Sequence, residues 1–462
     1  MKDKIQINTY PQIVSGLAFL LPTDCPQTTD KKLISSAGGE IMANINKEYG
    51  KLTEISVRFT EETLKHILRV VDNGKEVNIL SWNFDGTSSK GDNYLSTIYK
   101  IKVIGTVDGK EIEVGSVIKS LPKNVGRRKT YRSAEFFSNE IMFYTKIIPQ
   151  FDIFVKEKRQ AQMLCIPRHF SSVMDGENDF VALENVTFLG YGPIGRQNSL
   201  NEAQFKIILE GLARFHAISF AFKDQKPDKF KEIVGYLHET YYSDKHWNWY
   251  KRFHEKILDI AKNALAREYP NSEAEKKLKP YKAEDLFQKA IKLCNRKYQS
   301  TSVVSQGDSW LPNYMVREAT NEIIILDFQL ARCASPVLDL STSFYSCTEK
   351  PLWDEKFDTF LKYYYTELSK NITLLGSNPE NVYSWSTFMK EIKEQFVFGM
   401  IFAMEIIPMV LLDDTDIFDL DDIKDDNAID IADIWTLSYI ETKEGRRRMA
   451  NMVVHVVEKG FL

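Results

Sequence analysis

"SQGDSWLPNYMVREATNEIIILDFQLA", residues 305–331, places two short apolar runs on either side of a polar turn, and each run is tied to an acid. Asp308 follows Gly307 and stands five residues before Asn313, while Asp327 closes the run Ile323, Ile324, Ile325 and Leu326. β-Branched runs flanking a polar turn predict a hairpin. Such a hairpin brings Asp308, Asn313 and Asp327 to one cleft. A lone Gly-Asp or Asn is most often an ordinary turn former; the three together make a set of hard oxygen donors.

That set suits phosphoryl transfer, in which the protein positions the reactants and balances charge. In protein kinases a catalytic-loop Asp orients the substrate hydroxyl and accepts its proton. An Asn five positions later binds metal, and a further Asp binds the Mg2+ that bridges the phosphates. Asp308, Asn313 and Asp327 follow that order. Mg2+ prefers oxygen donors and keeps several waters, so one carboxylate and one amide oxygen, completed by phosphate oxygens of ATP, suffice without His or Cys.

With 462 residues, 43% hydrophobic and 27% charged, the chain has material for a large core and two lobes. A net charge of −4 offers no global field for nucleic acid, and the cluster Arg127, Arg128, Lys129 is too short to change that. Cys25, Cys165, Cys294, Cys333 and Cys347 lack a CxxC pair, so they point to neither a zinc site nor a disulfide framework and fit a reducing, cytoplasmic setting. No signal-peptide pattern is read at the N-terminus. The apolar stretch 396–412 is interrupted by Glu405 and Pro408 and falls short of the ~20 residues of a membrane span, so a buried helix is expected. Neither membrane insertion nor an obligate protein partner is inferred.

Residues 1–54 read as a weakly structured extension. A helix is expected over 60–73, where Leu64, Ile67, Leu68 and Val71 recur at helical spacing after Thr60. Residues 82–122 read as an antiparallel hairpin about Val107-Asp108-Gly109-Lys110, with Ile98, Lys100, Lys102 and Ile104 in alternation. The segment 133–148 has helical bulk and 180–186 reads as a strand; helical patterning dominates from residue 201. The expectation is α+β in two lobes, a small β-rich N-lobe over 55–186 and a large α-rich C-lobe over 187–462, rather than a doubly wound sheet.

The opening segment also resembles the "HGDxWxxN … (I/L)DFQ" signature of the ecdysteroid kinase-like family, related to the aminoglycoside phosphotransferases and choline kinases. "ARCASPVLDLSTSFYSCT", residues 331–348, resembles that family's sequel. The resemblance extends over roughly residues 55–462. It implies a two-lobed protein-kinase-like fold and an ATP- and Mg2+-dependent kinase that phosphorylates the hydroxyl of a small molecule, an ecdysteroid or another steroid-like or foreign alcohol. Asp308 would be catalytic, and Asn313 and Asp327 would hold the metal. "GDNYLSTIYKIKV", residues 91–103, is similar to the family's glycine loop, which assigns Gly91 and Ser96 to the nucleotide. "VIKSLP" resembles the strand carrying the ATP-binding lysine, here Lys119, and "FFSNEIMFY" the helix carrying its glutamate partner, here Glu140. A lone strand lysine is usually solvated; paired with Glu140 it would be held against phosphate oxygens. "FVALENV" resembles the interlobe hinge, where the backbone of Glu184, Asn185 and Val186 would face adenine. Asp339 would brace the catalytic loop, and His216 reads as a satisfied, partly buried histidine.

One departure stands out, since Gln306 occupies the position where the family carries His. An amide both donates and accepts but never becomes cationic, so loop support survives the change and a task needing imidazolium does not. This feature favours the alternative reading, a catalytically impaired pseudokinase or ligand-binding scaffold. The GxGxxG and Walker sequences are absent, and Asp327-Phe328-Gln329 is not DFG, which argues against a P-loop enzyme and a protein kinase. The aromatic stretch 235–256 reads as a packed helix or as the lining of an apolar acceptor pocket. The acidic run 413–433 lacks the glycine and final glutamate of an EF-hand and is expected to be a solvated loop.

Overall fold

The run of residues 97–120 turns at Asp108-Gly109, both in the left-handed region with φ of 48° and 81°, as a two-residue hairpin loop requires. The computed structural model that contains it describes residues 49–87, 95–194, 199–411, 423, 426–435 and 437–462. The N-lobe holds helices α1 (Tyr49–Ile55) and α2 (Glu61–Asp72), then strands β1 (Val77–Thr87), β2 (Thr97–Val107) and β3 (Lys110–Ser120). Helices α3 (Val125–Tyr131), α4 (Ser133–Met142) and α5 (Ile148–Glu157) follow, α4 running on through a π-helical turn at Phe143–Ile147. Strands β4 (His169–Val173) and β5 (Phe180–Glu184) complete the lobe. Among the described residues the five strands form one antiparallel sheet in the order β1-β2-β3-β5-β4.

Period explains the packing of this lobe. Leu64, Ile67 and Leu68 of α2 meet Ile101, Val103 and Val107 of β2 around Trp82. The row Lys100, Lys102 and Ile104 lies on the opposite, half-exposed face of β2. Leu52 and Ile55 of α1 are buried in the same cluster. The lobe's packing therefore includes residues 49–54, which the sequence alone assigned to a weakly structured extension. Two apolar residues three apart in one short helix are too few to show a period.

The C-lobe contains β6 (Gly192–Pro193), α6 (Glu202–Gln225), α7 (Pro227–Val234), α8 (Trp247–Glu268), α9 (Glu273–Leu278) and α10 (Ala283–Cys294). Strands β7 (Val303–Ser305), β8 (Tyr314–Arg317), β9 (Glu322–Ile325) and β10 (Arg332–Ala334) follow, then α11 (Val337–Cys347), α12 (Lys350–Leu374), α13 (Pro379–Val382), α14 (Trp385–Gln395), α15 (Val397–Val410), α16 (Ile431–Ile434) and α17 (Lys443–Glu458). β8 and β9 form the expected hairpin, pairing Tyr314 with Ile325 and Arg317 with Glu322. β7 pairs with β10, Ser305 opposite Arg332. These two pairings enclose the segment 305–331. Helix α6 is buried along most of its length and forms the centre of the lobe. The molecule thus has the two-lobed, protein-kinase-like α+β fold.

The stretch 396–412 supplies α15, a buried helix, and no described helix is long and apolar enough to cross a membrane. The acidic run departs from expectation in its described part. Arg252 of α8 pairs with Asp430 and Asp433 at 2.9 and 2.6 Å, and the Ile429 amide donates to Thr130 of α3 at 3.0 Å. Ile431, Ile434 and Trp435 are buried. The isoleucines and tryptophan among the acids tie this segment to both lobes.

Where α15 crosses α11, a Cβ on Gly399 would lie 2.2 Å from the Ser341 carbonyl oxygen. Backbone meets backbone there, so no side chain can give way. Gly399→Ala is expected to lower the unfolding free energy by about 1–3 kcal/mol through forced separation of the helices. Urea denaturation of the two proteins measures it.

Candidate active site

Three charged side chains meet in the cleft between the lobes. Lys119, in the middle of the sheet on β3, places its Nζ 3.0 and 3.1 Å from the two oxygens of Glu140 on α4 and 2.9 Å from Oδ1 of Asp327, which follows β9. All three are buried. Burial opposes the Lys119 charge, but Asp327 and Glu140 outweigh it and raise the ammonium above its ordinary pKa. One ammonium cannot balance two carboxylates. Burial, added to by the Asp327 charge, accordingly raises the Glu140 carboxyl despite the pull of Lys119. The cluster has a surplus of negative charge.

Two oxygens beside this cluster are buried without a hydrogen-bond partner in the chain, Asn313 Oδ1 and Asp327 Oδ2. Orphaned buried acceptors are rare in folded proteins. A carboxylate oxygen and an amide oxygen, next to surplus negative charge, fit the donor chemistry of Mg2+. Among the described residues no group of three His, Cys, Asp or Glu side chains stands ready to hold a metal, so an oxygen site shared with phosphate is the arrangement these residues suit. The Asn313 Nδ2 donates to the backbone oxygen of Asp308 at 2.8 Å and to Asp308 Oδ2 at 3.0 Å. That orientation turns Oδ1 away from Asp308.

Loop order comes from a polar lock. Gln306 uses its whole amide: Nε2 donates to the carbonyls of Leu326 and Asp327 at 3.0 and 2.7 Å, and Oε1 accepts from the Asp308 amide at 2.7 Å and the Ser309 hydroxyl at 3.0 Å. It bridges the loop of Asp308 to the loop of Asp327. Asp339, on the first turn of α11, accepts from the amides of Gln306 and Gly307 at 2.7 and 2.9 Å and contacts His216 Nε2 at 3.2 Å. Burial pushes the Asp339 carboxyl up, but His216 and the two amides prevail and hold it below its usual range. His216 is fully buried and satisfied, its Nδ1 lying 2.8 Å from the Tyr364 hydroxyl. Gly307 has φ of 88°, and a Cβ there would meet the Leu330 carbonyl oxygen at 1.9 Å, so only glycine lets the two loops approach. Asp327 also adopts positive φ, 58°, a conformation that Asp tolerates better than most residues.

Beyond Asp308 opens a cavity of about 1040 Å3, counted with its open mouth, lined by Leu95, Ser96, Tyr241, Trp310, Phe402 and Glu405 among others. Tyr241, Tyr250 and Phe253 come from the aromatic stretch 235–256, Ile431 comes from the end of the acidic run and Trp435 from just past it. On the other side of the charged cluster, Ile98 and Val117 of the N-lobe sheet pack against Val186, Tyr191, Met315, Ile324 and Leu326.

The structure brings together Lys119, Glu140, Gln306, Asp308, Asn313, Asp327 and Asp339. Ser96 lines the cavity that also holds Asp308. Glu184 and Asn185 donate their amides to Arg168 and Gly115 carbonyls at the end of β5, and Val186 enters the interlobe cluster. Gly91 lies outside the described residues. Sequence reasoning missed Asn139, next to Glu140, which donates to the carbonyls of Gln329 and Ala331 at 3.1 and 2.8 Å. It missed Arg332, which donates to the Gly307 carbonyl at 3.1 Å and pairs with Glu239 at 2.8 Å. It read Glu405 only as an interruption of an apolar run, although a charge in such a run was itself the signal.

A family model described as the ecdysteroid kinase-like family matches residues 90–377. No curated protein matches the chain. Among solved structures, it is similar to an ethanolamine kinase of Plasmodium vivax, with 11% identity, coverage of 84% of each chain and a TM-score of 0.38. It is also similar to the aminoglycoside phosphotransferase APH(3'')-Id from Streptomyces rimosus, with 12% identity over 68% of this chain and 96% of that one and a TM-score of 0.27. A GDP complex of wild-type aminoglycoside 2'-phosphotransferase-IIIa matches with 14% identity over 75% and 96% and a TM-score of 0.30.

The charged cluster can be tested by removing its cation. Lys119→Met leaves Glu140 and Asp327 without counter-charge, and at pH 8 the unfolding free energy is expected to fall by about 3–5 kcal/mol. A carboxyl whose pKa is raised in the folded state binds a proton there first, so the deficit shrinks as pH falls. Urea titrations at pH 8 and pH 6 are expected to show the smaller loss at pH 6; an equal loss at both would refute the pairing.

Proposed function

The chain belongs to the ecdysteroid kinase-like family, and from that membership we propose that it transfers the γ-phosphoryl group of ATP, with Mg2+, to the hydroxyl of a small-molecule alcohol. An ecdysteroid, or another steroid-like or foreign alcohol, is the acceptor class proposed. The observation that supports this reading most directly is the pair of unpartnered buried oxygens, Asn313 Oδ1 and Asp327 Oδ2, between a buried Lys-Glu-Asp cluster and an Asp that faces an aromatic cavity.

In this reading Ile98, Val117, Met315 and Leu326 clamp the adenine ring, with the backbone of Glu184, Asn185 and Val186 along its edge. Gly91 and Ser96 belong to the loop over the phosphates. Lys119 balances phosphate charge, and Glu140 keeps the ammonium from swinging away. Asn313 and Asp327 would hold Mg2+, which when bound screens the phosphate charge that moves onto the leaving ADP. Asp308 orients the acceptor hydroxyl and takes its proton as the oxygen bonds to the γ-phosphorus and the bond to the β-phosphate oxygen breaks. Asn313 Nδ2 holds the Asp308 carboxylate for that task. Gln306 and Asp339 position the loop without meeting the reactants.

The alternative, a catalytically impaired scaffold of the same fold, drew its support from Gln306. The amide makes four hydrogen bonds across the two loops, whereas a neutral imidazole has one donor and one acceptor nitrogen. Loop support is therefore no weaker than His would make it, which favours transfer.

Asp308→Asn is expected to lower turnover by about 10^3-fold or more while the rise in Tm produced by MgATP stays within about 2 °C of wild type. Asp327→Ala is expected to lose the metal-dependent part of that rise. A phosphate-transfer assay and thermal unfolding on the same preparations check both, and undiminished turnover in Asp308→Asn would remove Asp308 from the chemistry.

A further inference from the structure

Glu405 is the one charged residue in the sequence of α15, VFGMIFAMEIIPMV. It is 8% exposed, and that exposed edge lines the cavity shared with Asp308. The transfer step as proposed does not use this carboxylate, and burying one without partners is costly. Its partners are in place: Tyr242 donates to Oε1 and Tyr241 to Oε2, each at 2.6 Å. Tyr241 also lies 3.2 Å from His254 Nε2. The single phenolic hydrogen of Tyr241 goes to Glu405, so the hydrogen of that contact comes from Nε2 and the neutral tautomer is set. Burial pushes the His254 imidazole down to about 3, which keeps it neutral. Tyr241, itself held by His254, and Tyr242 thus grip the Glu405 carboxylate, one on each oxygen, and of these Tyr241 and Glu405 line the cavity. Each carboxylate oxygen keeps a second lone pair for a ligand.

Apart from Ser96 and Gln329, the rest of the cavity lining is mostly rings and aliphatic side chains, among them Tyr250, Phe253, Leu330, Phe402, Ile406 and Trp435. We propose that Glu405, clamped by Tyr241 and Tyr242, is an acceptor-specificity residue: it receives a second hydroxyl of a neutral ring-skeleton alcohol whose first hydroxyl lies at Asp308. The chain then selects diols and polyols over mono-alcohols. This inference rests on the transfer reading for which hydroxyl reacts, and on the cavity alone for what binds. An ammonium alcohol is the competing occupant of an acidic, aromatic cavity. Burial, with Asp308 adding to it and with Tyr241, Tyr242 and Arg332 opposing, pushes the Glu405 carboxyl up to about 7. A carboxyl poised near neutrality is a weak counter-ion but hydrogen-bonds a hydroxyl in either protonation state. Leu330 and Ile406 in the wall likewise suit a ring skeleton better than a cation.

The test uses the full chain and quenching of tryptophan fluorescence, since Trp310 and Trp435 line the cavity. The probes are a steroid polyol such as 20-hydroxyecdysone, a steroid with one hydroxyl such as pregnenolone, and choline. Wild type is expected to bind the polyol about tenfold or more tightly than the mono-alcohol. Glu405→Gln keeps the shape but loses one acceptor oxygen, and the preference is expected to shrink about tenfold; Tyr242→Phe, which leaves the carboxylate and removes one clamp, is expected to shrink it about threefold. The Tm rise with MgATP reports that each variant is folded, and Tyr242→Phe decides alone if Glu405→Gln does not fold. An absent wild-type preference, a preference unchanged in both variants, or a loss confined to choline overturns the proposal. Polyol binding with the predicted losses but no phosphate transfer overturns the transfer reading and leaves the specificity proposal standing. Transfer to the polyol with an unchanged preference does the reverse.

Discussion

A buried ammonium shared by two carboxylates organises this molecule. Lys119 meets Glu140, 21 residues away, and Asp327, 208 residues away, so β3, α4 and the loop after β9 must arrive at one point. Removing such charges from water is expensive, and their mutual attraction offsets this only with good geometry. The structure supplies that geometry through its neighbours. Asn139, beside Glu140, grips the carbonyls of Gln329 and Ala331. Phe328, beside Asp327, stacks on Phe143 at 3.9 Å between ring centres. Each of the two carboxylates is positioned through the residue next to it.

The same logic divides the cleft. On one side lie an apolar cluster and the surplus negative charge with its two unpartnered oxygens; on the other lies an aromatic cavity with one buried carboxylate. Asp308 stands between them, with its amide held by Gln306 and its carboxylate by Asn313. The lock behind it has no spare capacity. Gln306 uses both amide hydrogens and its oxygen, Asp339 takes two backbone amides, and Gly307 leaves no room for a side chain. A loop so fully bonded cannot drift without leaving buried polar groups unsatisfied, which costs more than the bonds themselves contribute.

Legibility followed sequence distance. Asp308, Asn313 and Asp327 could be read because they flank one hairpin, whose pairing brings its two ends together, and hairpin chemistry is local. The hairpin at Asp108-Gly109, the helix after Thr60 and the buried helix α15 were legible for the same reason. Lys119 and Glu140 needed family resemblance, since nothing near either residue announces the other. Helix α1 was too short to show a period, and the isoleucines at the end of the acidic run were hidden by the charges around them. Glu405 was visible as a charge out of place in an apolar run, but its partners Tyr241 and Tyr242 lie more than 160 residues earlier.

By itself the sequence determined the strongly periodic helices and strands, the Asp108-Gly109 turn, the two-lobed class and the trio of oxygen-bearing residues that flank one hairpin. These depend on hydrophobic period and on backbone preferences that act over a few residues. Only the tertiary structure decided which charges share a hydrogen bond, which oxygens of Asn313 and Asp327 stay unpartnered, and which face of α15 turns a carboxylate toward Asp308. A buried polar group is placed by whatever partner reaches it through the fold, and that partner is set by packing across the whole chain rather than by its neighbours in sequence.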